Sequence, residues 1–373
     1  MRYSLILFFI AVSLTGCRRS ATDAAQAVGD TLSFKYATQL SVVRYEGYTV
    51  ATLKNPWKPS ATLHQYVLVP AGEPLPDQRP EGTVLRVPLR RSMVFTTVHC
   101  AMLLSLGMED RIAGVADLKY MKLPWVHQQV AAGKIADVGE GMSPVVEKII
   151  DSRPDAILLS PFENSGGYGK LEDIDIPIVE CAEYMEKSPL ARAEWLRFYG
   201  LLFGCEARAD SLFAQVDSSY NALRSMAAQQ PEHPTVLVDK VTGSVWYVPG
   251  GQSTLGRMIA DAGGRYLWAD DNHSGSVSLP FEAVLERASD ADVWLFRFSG
   301  DHDITADELL AEHHGYSQFE AFRRRAAYGC NVEQSLFYEE SPFRPDWLLA
   351  DFIHILHPDI TNQQSLRYYH KVK

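Results

Sequence analysis

Apolar residues recur every three or four positions between Glu206 and Gln230, where Leu212, Phe213, Val216, Tyr220, Leu223 and Met226 mark one face of a long amphipathic helix. Pro231 and Pro234 close it. At ~1.5 Å per residue the stretch predicts a rod of roughly 36 Å. On both sides of this rod the chain writes the same phrase. Upstream, Val146-Glu147-Lys148-Ile149-Ile150 leads through Arg153-Pro154-Asp155 into the apolar run Ile157-Leu158-Leu159. Downstream, Phe281-Glu282-Ala283-Val284-Leu285 leads through Asp290-Ala291 into Val293-Trp294-Leu295-Phe296. An amphipathic helix followed by a buried strand, written twice around a rod, predicts two α/β lobes joined by one stiff helix.

The remaining pattern fills in the lobes. Strands are predicted at Val84–Leu89, Met93–Phe95, Arg111–Val115, Ile135–Gly139, Asp155–Ser160 and Ile176–Glu180. Thr96 or Thr97 caps a helix that Gly107 ends, Ser143-Pro144 opens the Glu147 helix, and Ser188-Pro189 opens another that runs to Gly204. The second half offers strands at Thr235–Val238, Val293–Phe298 and Ala327–Tyr328, and a loop from Trp246 to Ser253. It also offers a capping box at Thr305–Glu308 and a helix from Pro345 to Leu356. Ahead of all this, Glu46-Gly47 sits between two β-rich runs as a hairpin turn, and Tyr66–Val69 is a further strand. The division that follows is 1–17 signal segment, 18–32 polar tether, 33–83 β-rich elaboration on the first lobe, 84–205 first lobe, 206–230 rod and 231–373 second lobe.

A net charge of −11 and a pI near 5.5 argue against nucleic acid as partner, while leaving room for a small anion at a local cluster of arginines. The N-terminus adds location. Arg2 precedes the run Leu5–Val12, too short to span a bilayer as a helix but suited to a signal-peptide core. Leu14-Thr15-Gly16-Cys17 resembles a bacterial lipobox, which implies cleavage before Cys17, its lipidation, and a body tethered to a membrane in the periplasm. Cys100, Cys181, Cys205 and Cys330 lie within apolar patterns without CxxC spacing and read as buried free thiols.

Residues 84–356 resemble the substrate-binding proteins of ABC importers for vitamin B12, haem and ferric siderophores, whose two lobes share one long helix. Leu103–Val115, the Glu147 phrase and the Glu282 phrase match that family's motifs in order. The resemblance implies two Rossmann-like lobes with mainly parallel sheets, joined by one long α-helix. The β-rich elaboration before residue 84 stands outside the usual pattern. It further implies that Glu147 and Glu282 dock onto arginines of the membrane permease, that the protein is a monomer without a resident cofactor, and that the cargo is a metal chelate or corrinoid.

In a parallel α/β sheet a ligand lies beyond the carboxyl ends of the strands, here between the two lobes. Candidate ligand residues are therefore Thr97, His99, Phe162, Asn164 and Tyr184 from the first lobe, with Trp246, Tyr247, Arg297, Ser299 and Asn331 from the second. Aromatic faces give contact area at little entropic cost, and an arginine pairs with carboxylate or phosphate. Asp270–His273, Asp301–Asp303 and His313-His314 lack metal-ligand spacing and read as solvated loops and caps, so no metal site is expected. A chelatase-like metallocofactor enzyme on the same architecture is the alternative, and a receptor acting without a permease a third reading. The absence of an acid–base or nucleophile constellation favours binding over catalysis.

Overall fold

The computed structural model describes residues 29–58, 60–77, 79–163, 167–360 and 365–373. Cys17 with most of the tether, and Asn164, lie outside them.

Parallel strands require crossovers, and the helices between the apolar runs supply them. In the first lobe five parallel strands stand side by side as Ala136–Asp137, Ile112–Val115, Ser92–Val94, Ala156–Leu159 and Ile178–Glu180. The second lobe orders Arg265–Tyr266, Thr235–Val238, Val293–Phe298 and Ala327–Asn331 in parallel and closes with Tyr369–Lys371 antiparallel. Each sheet therefore has a point where successive strands begin to add on the opposite side. In the first lobe it lies between Ser92–Val94 and Ala156–Leu159; in the second, between Thr235–Val238 and Val293–Phe298. All residues of Ala156–Leu159 and Thr235–Val238 are buried, as strands covered on both faces must be.

The rod is Glu206–Ala227, 22 residues and so ~33 Å long. Ala209, Phe213, Val216, Tyr220 and Ala227 form its buried stripe, packed on Leu196–Phe203 of the first lobe and Pro345–Leu356 of the second. It stops short of Gln230 because Pro231 disfavours helix in the residue before it; Gln229 and Gln230 make only tightened three-residue bonds.

Four local expectations change. Thr83–Val87 does not enter the first-lobe sheet; it pairs in parallel with Thr62–Pro70 and completes a five-stranded N-terminal sheet. Its half-exposed alternation suits an edge strand better than a doubly covered one. Ser143-Pro144 forms a small antiparallel pair with Gly139–Glu140, so the Glu147 helix starts at Val146. The segment from Ser188 holds two helices, Pro189–Glu194 and Leu196–Phe203, meeting at Trp195. Val245–Pro249 is a strand paired with Ser276–Leu279, with Trp246 turned inward and Tyr247 outward.

The N-terminal sheet is fastened by buried carboxylates. The carboxylate of Glu194, 1 % exposed, accepts the backbone N–H groups of Lys35, Tyr36 and Ala37 at 2.7, 2.7 and 2.8 Å. Glu186, 3 % exposed, accepts those of Thr38 and Gln39 together with the indole N–H of Trp195. Tyr36 also donates from its hydroxyl to Asp217 on the rod, and Lys35 pairs with the same carboxylate. At the other end of the chain, Asp351 accepts the backbone N–H groups of Arg367, Tyr368 and Tyr369.

Truncation at Glu194 would leave three amide donors without their acceptor, at ~1–3 kcal/mol for each that stays dry. Glu194→Ala is expected to lower unfolding free energy by about 3 kcal/mol, read as a fall in urea midpoint at unchanged m-value. An unshifted midpoint would show that the strap contributes nothing.

Candidate functional site

The first-lobe reversal point opens into a cavity of 860 Å³. Phe95 and Thr96 follow one central strand into its wall, Ser160 and Phe162 follow the other, and Asp117 follows the neighbouring strand. Asp117 adopts a left-handed backbone (φ 54°), which the short polar side chain of aspartate tolerates. Met142, Val146, Tyr168, Leu171 and Ile174 add apolar surface; at the rim Met142 stands largely out in solvent and Phe162 is nearly half exposed. Three carboxylates (Asp117, Glu147 and Asp173) and one lysine (Lys170) line the space, so its polar fringe is acidic. Such a cavity suits a bulky, mainly apolar body without excess negative charge.

Next to it runs the seam between the lobes. The short second-lobe helix Phe337–Glu340 lies against the first helix of the first lobe, Thr97–Ser105. Glu339, 3 % exposed, takes the Thr97 hydroxyl at 2.9 Å and the Lys122 backbone N–H at 3.1 Å. Lys122 reaches across to Glu333 as well.

Behind this latch lies a buried ion pair. His99 Nε2 stands 3.2 Å from Glu183 Oε1, both residues 1 % exposed, and Tyr199 donates to Glu183 at 2.8 Å. Burial disfavours the imidazolium, but Cys181 and Glu183 beside it outweigh that and hold His99 up at about 10. Burial likewise opposes the Glu183 carboxylate, and His99 more than compensates, drawing it down to about 2. The ring of Phe343 from the second lobe covers both His99 and Tyr199.

A second, smaller cavity of 210 Å³ sits on the same seam, bounded by Val98, Pro189 and Arg192 of the first lobe and by Leu255, Arg297 and Tyr338 of the second. It borders the second-lobe reversal point, where Arg297 forks onto both carboxylate oxygens of Asp239 at 3.1 and 2.7 Å.

The sequence candidates are distributed unevenly over these features. Phe162 lines the large cavity, whose walls come from the first lobe alone and not from both lobes as expected. Thr97 and His99 lie on the first-lobe side of the seam and Arg297 on the second-lobe side. Tyr184 is half-buried beside the cavity wall, its hydroxyl donating to the Pro161 carbonyl. Tyr247 and Ser299 are exposed on the second lobe. Trp246 must be corrected: it is fully buried, its indole N–H donates to Val238 O, and its ring packs on Trp294, Tyr316 and Phe319 at 5.6–5.9 Å. It anchors the second-lobe core. His99 and Asn331 are also engaged internally, the first with Glu183, the second with the backbone of Gly300, His302 and Glu333. Pattern reading missed Tyr168, Met142, Arg192 and Glu339. Only the Gly167-Tyr168-Gly169 turn carried a signal, and it lines the large cavity without the strand–turn–helix setting of a phosphate loop.

Glu147 and Glu282 occupy equivalent places. Each is the second residue of its helix, after Val146 and Phe281 respectively; each is exposed and, among the described residues, has no hydrogen bond or ion pair.

With two lobes, one rod and a cleft at the strand ends in view, comparison with known proteins gives the class. The model of the periplasmic binding protein family matches residues 95–331, and the chain belongs to that family. It is a family of binding proteins rather than enzymes. An uncharacterized lipoprotein of Methanocaldococcus jannaschii is 27 % identical over 361 residues, covering 90 % of this chain and 84 % of that one. Among solved structures, a periplasmic heme binding protein from Pseudomonas aeruginosa superposes with TM-score 0.59 at 16 % identity, over 76 % of this chain and 98 % of its own. The periplasmic vitamin B12 binding protein of Vibrio cholerae gives 0.54 at 14 %, over 74 % and 99 %.

The buried pair sets a pH dependence. The His99 contribution is complete below its unfolded value of 6.5 and is lost as pH climbs toward about 10. The Glu183 contribution is complete above 4.5 and is lost as pH falls toward about 2. Unfolding free energy should therefore peak between about pH 4.5 and 6.5, and His99→Phe should flatten the alkaline decline. An alkaline limb that is unchanged in the variant would remove His99 from this role.

Proposed function

We propose that this chain is the solute-binding component of an ABC importer, tethered through lipid on Cys17 in the periplasm. It captures a metal chelate or corrinoid (haem, a ferric siderophore or a cobalamin-type molecule) and presents it to the permease through Glu147 and Glu282. The observation that carries the reading is the 860 Å³ cavity at the first-lobe reversal point, with Phe162, Tyr168 and Met142 for a bulky cargo and Glu147 on its lip. The heme- and B12-binding structures that share the fold, and the lipoprotein relative, support cargo class and anchor.

Two exposed carboxylates held apart by a rigid body confer orientation more than affinity, since each exposed pair contributes only ~0–1 kcal/mol. One packed rod also leaves little freedom for closure, so cargo binding should compact the molecule only slightly.

The visible spectrum of the purified protein, followed by titration with haem and with cobalamin, tests the cargo. Phe162→Ala and Tyr168→Ala should each weaken the bound chelate by roughly five- to tenfold through lost aromatic contact. Chelate affinities equal to wild type in both would move the cargo out of this cavity. Glu282→Ala, away from the cavity, should bind cargo normally and fail in uptake; uptake at the wild-type rate would end the docking assignment.

A further inference from the structure

We infer that the 210 Å³ cavity on the seam is an anion site, taking a carboxylate-sized oxyanion between Arg192 of the first lobe and Arg297 of the second. The inference rests on the proposed function for its cargo arm and assigns the chemistry of a second cavity, on the seam between the lobes.

An unmet donor is the first argument. Among the described residues the guanidinium of Arg192 has no hydrogen bond and no ion pair, and its Nε is buried without an acceptor. Glu183 attracts it only from a distance, its carboxylate being engaged with His99 and Tyr199. Arg297 is matched by Asp239. A buried donor on a charged group that lacks an acceptor is costly. An oxyanion from outside would supply that acceptor.

Geometry is the second. Arg192 and Arg297 come from opposite walls, so an anion between them would be gripped by both lobes. The hydroxyl-bearing residues Thr254, Tyr338 and Ser341 also line the space. Thr254 and Leu255 open the helix Thr254–Asp261, whose first turn adds the positive end of a helix dipole. Neutral apolar walls such as Met258 lower the local dielectric and strengthen each of these attractions.

Size is the third. At ~30 Å³ per water, the cavity has room for about seven waters. That accommodates a small carboxylate or one acidic arm, whereas the body of a chelate belongs in the larger cavity. A free carboxylate and an acidic arm of the cargo present the same two oxygens to Arg192, so the test carries both.

Thermal unfolding of the full chain, purified in detergent, is followed in sodium acetate against sodium chloride at equal ionic strength, and haem, with its two propionates, is titrated into the same preparations. If a free carboxylate fills the site, acetate raises Tm by roughly 2–4 °C over chloride in wild type. Arg192→Gln then loses the shift and Arg192→Lys, which keeps the charge but not the planar fork, retains part of it. If the carboxylate arrives only on cargo, acetate is silent and Arg192→Gln weakens haem about tenfold or more, the scale of a lost charged hydrogen bond. In either case Arg192→Gln without anion unfolds within about 5 °C of wild type, because the donor it removes had no acceptor. The inference is overturned if Arg192→Gln matches wild type in both arms, or if anion-free Arg192→Gln melts more than about 5 °C earlier, which would make Arg192 a packing element. Wild type that responds to acetate but binds neither haem nor cobalamin would count against the cargo proposal and leave the anion site standing.

Discussion

Three buried carboxylates fasten residues 35–39 and 367–369 to the body of the protein, and much of the architecture depends on them. Glu186 and Glu194 hold five consecutive backbone N–H groups, those of residues 35–39, and Asp351 holds those of residues 367–369. A carboxylate in this position is stabilised by the amides it accepts, and the amides are spared an unsatisfied burial; neither side is tolerable alone. Because Asp217 on the rod joins the same strap through Tyr36 and Lys35, the N-terminal sheet, the helices at the root of the first lobe and the rod are tied into one body.

That rigidity gives the cleft its character. With the rod packed against helices of both lobes, the lobes meet along a seam that is already sealed by Glu339 and Phe343. The two reversal points of the sheets then differ in what fills them. In the first lobe the loops diverge and leave the large, acidic-fringed cavity. In the second, Asp239 and Arg297 close on each other and only a small space remains beside them. The lobes are alike in grammar and unlike in what they offer a ligand.

Much of this was legible in the chain itself. The helix-then-strand phrases around Glu147 and Glu282 led to matching helices with both glutamates in the same second position, and the rod's periodicity marked its buried stripe. What stayed hidden depends on partners remote in sequence. Thr83–Val87 has the apolar content of a lobe strand, but Thr62–Pro70 captures it first. Trp246, beside a Pro-Gly-Gly turn, resembles a loop anchor until Trp294, Tyr316 and Phe319 surround it. Arg192 is the extreme case. What distinguishes it is a buried Nε with no acceptor in reach, and a missing partner in space leaves no trace in a string of letters.

The strap has a mechanical consequence. A pull on the start of the first strand, Asp30, is delivered through residues 35–39 to the flank of the rod, near the molecule's waist, and not to either tip. A load taken up there is spread along the rod that both lobes pack against, and none of it tends to pry the lobes apart.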